Sequence, residues 1–167
     1  MDWSLFDYIS VNTFWSILFI IHALLAVALL GALTHQAVSV LLPVRQAATA
    51  NFVTRFRAVQ GAGYATAVCL LWVLTFVMGA WIYIKYRVYI RIPLERAGFW
   101  KTQGMFELKE HLATIGLGLL PAYWYLWTSK APQYESARKW VTVVLAAFCW
   151  FVFLVGHVVN NVRGFGS

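Results

Sequence analysis

The chain has 167 residues, of which 62% are hydrophobic, 17% aromatic and only 11% charged. A soluble domain is about half apolar and about a quarter charged, so this composition excludes an ordinary soluble globule, a disordered chain and a disulfide-rich secreted scaffold. The formal net charge of +7 comes from basic residues scattered between apolar segments, which suits lipid headgroups and provides no nucleic-acid-binding element.

Asp, Glu, Lys and Arg are missing from four runs, at positions 8–44, 58–84, 111–129 and 140–162. Each run can supply the ~20 apolar residues that cross a ~30 Å hydrocarbon core as a helix. The predicted fold is all-α: one transmembrane domain over residues 1–167, folded as an up-down four-helix bundle. The first run is too short for two spans and a turn, so it reads as one long helix over about 13–42, closed by Pro43. Before it stand Asp2 and Asp7, with no Lys or Arg until Arg45, the reverse of a signal peptide's basic start. The second span covers about 58–86. The middle connection holds Pro93 and Gly98, and its start at 85–92 alternates loosely, fitting either extended chain or continued helix. The third and fourth spans cover about 104–129 and 136–161.

Small residues on the spans predict close helix contacts: Ala23, Ala26, Ala28, Gly31 and Ala32 on the first, Gly61, Gly63, Ala65 and Ala67 on the second, Gly116 and Gly118 on the third. Orientation is weakly determined. Arg45, Arg55, Arg57, Lys130, Arg138 and Lys139 on one side face Lys85, Arg87, Arg91, Arg96, Lys101, Lys109 and Arg163 on the other. Asp2, Asp7 and the longer middle connection favour both termini outside. Cys69 and Cys149 lie within apolar runs and read as small buried hydrophobes. No CxxC or CxxCH occurs, which excludes covalently attached haem.

All four histidines fall in or at spans, where ionisable groups are costly and point to function. With alternating helix directions, His22, His111 and His157 share a depth near the face carrying the termini and the middle connection. His35 follows His22 by thirteen positions, about 20 Å further along a helix and toward the other face. Two facing histidines in a bundle can ligate haem iron. The basic residues of that face, chiefly Arg87, Arg91 and Lys109, can pair with haem propionates. Phe14, Trp15, Phe19, Trp72, Phe76, Trp81, Phe106, Trp150, Phe151 and Phe153 can line a flat apolar slot. Sequence alone leaves His111 and His157 open as partner of His22. It favours His111, because Glu107 lies one helical turn away and can orient the ring. Alternatively His22, His111, His157 and Glu107 bind a Zn, Cu or Fe ion, or each histidine simply hydrogen-bonds between helices. Glu110 and Lys109 are expected to snorkel toward the interface. Thr34, Gln36 and Ser39 give the surroundings of His35 a polar, structural or quinone-facing character.

The stretches at 19–36 (FIIHALLAVALLGALTHQ) and 99–120 (FWKTQGMFELKEHLATIGLGLL) distantly resemble the first and third helices of membrane protoporphyrinogen oxidases and copper-resistance D-type membrane proteins, over about 40 of 167 residues. The resemblance implies haem b, with His22 and either Lys109 or His111 as the important positions. His35 and His157 depart from it.

The function expected is that of a membrane b-type cytochrome, alone or as a haem-binding oxidoreductase subunit of a respiratory complex. It would pass electrons between quinol and a redox partner in a bacterial inner membrane. A non-haem metal protein and a structural accessory subunit are the alternatives. No nucleophile constellation, phosphate loop or dinucleotide motif supports hydrolase or nucleotide chemistry.

Overall fold

The computed structural model describes residues 10–42, 52, 62–129 and 131–162. Asp2, Asp7, Pro43, Arg45, Arg55, Arg57, Gly61, Lys130 and Arg163 lie outside the described residues. So do the start of the predicted second span and much of the orientation comparison.

Helix α1 spans Val11–Leu41. Ser10 caps it, its Oγ accepting the Thr13 backbone N–H at 3.1 Å. Helix α2 spans Ala62–Lys85. It runs without a break into a π-helical turn, Tyr86–Arg91, and the short helix α3, Ile92–Arg96. Of the two conformations the sequence allowed for 85–92, continued helix is therefore the one adopted. The π winding lies immediately ahead of Pro93, whose ring crowds the preceding turn and whose missing N–H breaks the regular ladder. Gly98, at φ +77°, then reverses the chain. Helix α4 spans Trp100–Thr128, and a single 3₁₀ turn, Pro132–Tyr134, leads into α5, Glu135–Val162. The described residues are all-α, with four long helices and no strand.

Each long helix packs on two others, in the closed order α1–α2–α4–α5 and back to α1. Cross-helix contacts fix the directions. Phe14 meets Trp81 while Tyr64 donates to the Ala32 carbonyl, so α1 and α2 are antiparallel. Thr66 accepts from Trp124 while Trp72 donates to the Ala113 carbonyl, so α2 and α4 are antiparallel. Trp127 donates to Thr142 and the Lys109 stem runs beside Gly156, giving the same relation for α4 and α5.

The main core joins Leu29, Leu33, Val68, Trp72, Leu120, Tyr123 and Leu145. Trp72 fits there because Gly116 has no side chain: a Cβ on Gly116 would overlap the indole. Ala65 is fully buried. Gly31, Gly63 and Gly118, in contrast, face open space, so small residues mark helix contacts only where a bulky partner lies opposite.

Three helical stretches are long and apolar enough to cross a membrane: Val11–Leu41, Gly63–Arg96 and Pro132–Asn161. Helix α4, the third predicted span, is not among them. Lys101, Glu107, Lys109 and Glu110 fill its first half, and Gly, Tyr and Trp dilute the apolar content of the rest. Large apolar side chains such as Ile20, Leu24, Leu70 and Ile84 cover the outside. Such a surface fits a lipid environment.

Candidate functional site

All four long helices contribute to one cavity of about 300 Å³, within the size range of small-molecule and cofactor sites. Its walls are mostly apolar: Phe19 and Ala26 from α1, Phe76 and Ile82 from α2, Phe106 from α4, Val152 and Phe153 from α5. The π turn adds Tyr86 and Ile90. Polar groups enter from His22, Thr75, Lys109, Glu110, His157 and Asn160.

His22 is half-buried, and its Nδ1 is buried without a hydrogen-bond partner. Orphaned polar atoms in a bundle interior are uncommon and costly, and a bound water, ion or ligand is one way to satisfy them. The ring lies against the backbone of α2 at Gly79. A Cβ there would come within 3.1 Å of Cε1 and 3.8 Å of both ring nitrogens. Gly79 therefore makes the space that the imidazole occupies.

Lys109 is directed along the cavity rather than out of the bundle. Its side chain is only 13% exposed, its Nζ sits 4.4 Å from the Phe106 ring centroid and 2.5 Å from Glu110 Oε1. The expectation that Lys109 snorkels to the interface does not hold here. Gly156 on α5 leaves room for the stem, and Glu110 supplies a counter-charge inside the bundle.

Beyond the aromatic wall lies a polar network at the middle connection. The Tyr86 hydroxyl donates to Gln103 Oε1 at 2.6 Å, and Gln103 Nε2 donates to Glu107 Oε1 at 3.1 Å. Arg91 pairs with Glu95 at 2.7 Å and with Glu107 at 3.5 Å. The Tyr86 and Phe106 rings stack with centroids 3.7 Å apart.

The residues singled out from sequence are thus distributed as follows. His22, Lys109 and His157 line the cavity. His157 is exposed and stands at the rim with Asn160. His111 is exposed on α4 and does not line the cavity. Glu107 and Arg91 are engaged with each other, and Arg87 is exposed on the outer surface of the π turn. Among the described residues no three His, Cys, Asp or Glu side chains come together as a metal-binding group, so His22, His111, His157 and Glu107 are not assembled into one centre. Of the expected aromatic lining, Phe19, Trp72, Phe76, Phe106 and Phe153 are present; Phe14, Trp15, Trp81, Trp150 and Phe151 do not line the cavity, Trp81 being exposed and Trp150 donating to Thr34.

His35 packs edge-on to Tyr64 toward the opposite end of the bundle. The fully buried Gln36 accepts the Tyr123 hydroxyl, and its Nε2 has no partner. Sequence reasoning did not single out Gly79, Tyr86, Gln103 or Tyr123. A glycine in the middle of an apolar span was the one available signal, for Gly79. The other three depend on pairings across helices.

Comparison with protein-family models, with characterised proteins and with solved structures returned no match.

Proposed function

We propose that the chain is a four-span protein of a bacterial cytoplasmic membrane that binds haem b in the cavity between its helices. It passes electrons between quinol and a partner subunit. The observation that carries this reading is the buried, unpartnered Nδ1 of His22, a residue that lines an apolar cavity of about 300 Å³ also lined by Lys109. The lining suits a largely apolar group that carries a carboxylate: Phe19, Phe76 and Phe153 supply apolar walls and Lys109 a cation.

When bound, haem supplies one-electron redox chemistry. The residues of the chain hold and insulate it. His22 would hold the haem, with its ring set by Gly79. His157 is the second candidate ligand in preference to His111, since it lines the cavity and lies on α5, which packs on α1. Tyr86 and Phe106 close the wall toward the middle connection and keep water out. Lys109 lines the cavity, whereas Arg91 lies outside it and pairs with Glu95 and Glu107, so Lys109 is the better-placed partner for a propionate.

The test is a reduced-minus-oxidised visible spectrum of the full chain purified from membranes with haem supplied. A reducible Soret and α band is expected, lost in His22→Ala and restored in part by added imidazole. A colourless wild-type protein, or a His22→Ala variant with unchanged haem content, overturns the reading.

A further inference from the structure

We propose that Glu110 is a resident counter-ion for Lys109, displaced when a ligand carboxylate enters the cavity, so that the site selects flat apolar molecules carrying an anionic group. This deepens, and rests on, the haem reading.

Lys109 and Glu110 are adjacent in sequence, and successive residues on a helix point about 100° apart. Their side chains nevertheless meet, with Nζ 2.5 Å from Oε1, and both line the cavity. Lys109 is the cavity's only Lys or Arg among the described residues. Apolar walls make an unpaired ammonium there expensive, so it requires an anion in every state. The other nearby carboxylates are occupied: Glu107 by Gln103 and Arg91, Glu95 by Arg91.

The two partners differ in freedom. Lys109 is 13% exposed and its stem is held beside Gly156 and Phe106, whereas Glu110 is 34% exposed and can swing outward. An entering carboxylate would therefore take over the ammonium and release Glu110, exchanging one ion pair for another. Glu110 competes with such a ligand. Removing its charge should tighten binding of an anionic ligand, the opposite of what a residue that holds the ligand would do.

The probes are haemin and its dimethyl ester, which keeps the ring and loses both carboxylates, titrated by Soret absorbance into the full chain in nanodiscs. Glu110→Gln is expected to tighten haemin binding about tenfold, one charge-assisted contact no longer in competition, with the ester bound no more tightly than by the wild type. Lys109→Gln is expected to weaken haemin toward the ester's affinity. Should Glu110→Gln fail to fold, Glu110→Asp shortens the carboxylate arm and shifts haemin affinity in the same direction. Wild-type binding of the ester as tight as haemin, or haemin binding that Glu110→Gln leaves unchanged or weakens, overturns the counter-ion role and leaves the haem reading standing. No Soret shift in the wild type overturns both.

Discussion

Placing a side chain at Gly79 tests the geometry of the His22 site without touching the histidine. In Gly79→Ala the new Cβ lies 3.1 Å from His22 Cε1, about 0.4 Å inside the ~3.5 Å at which carbon atoms rest against each other. The ring must shift by a few tenths of an ångström. The same change gains about 1 kcal/mol of helix propensity, so the protein should melt no lower while its haem affinity falls slightly. Gly79→Val extends two methyl groups into the space of the imidazole. Overpacking of this kind costs about 1–3 kcal/mol. If the displaced ring is the axial ligand, that cost appears in haem binding, as an affinity loss of about 5- to 150-fold with a broadened or shifted Soret band. Haem titration and thermal unfolding, run on both variants, separate loss of the ligand from loss of the fold. A folded Gly79→Val protein that binds haem with wild-type affinity and spectrum would refute the assignment of His22 as a ligand held against α2.

Other outcomes follow from the same packing. His111→Ala should keep a low-spin haem spectrum and His157→Ala should lose it; the reverse result would place the second ligand on α4. Gly116→Ala should lower stability by about 2 kcal/mol despite its better helix propensity, because the new Cβ overlaps the Trp72 indole. Combining it with Trp72→Leu should recover part of the loss in a thermal melt. Tyr123→Phe strands a second polar atom on the buried Gln36 and should cost about 1–3 kcal/mol. The double change Tyr123→Phe with Gln36→Leu removes both unpaired groups and should melt higher than Tyr123→Phe alone. If α4 crosses the membrane with the three more apolar helices, reporter tags on the two termini fall on the same side; tags on opposite sides would leave three spans.

What the sequence determined by itself was the set of long helices and, for three of them, an apolar character sufficient to cross a membrane. Those depend on local composition: charge-free runs at 8–44, 58–84, 111–129 and 140–162 leave no other place for backbone polar groups in an apolar setting. Helix depth was legible too, since 1.5 Å per residue converts position into height, and His22 and His157 do reach one cavity. Rotation about the helix axis was not. Whether His111 or Lys109 turns inward depends on how α4 is rolled against α2 and α5. With α4 so rolled, Trp72 seated over Gly116 and the Lys109 stem beside Gly156 leave His111 facing outward. Pairings such as Tyr86 with Gln103, Tyr123 with Gln36, and His22 against Gly79 join positions 17, 87 and 57 apart in sequence. No periodicity within one helix encodes such contacts, because they form only once the neighbouring helix has set the space between them. The tertiary structure therefore decided which of the polar residues at one depth share a cavity and which pair elsewhere.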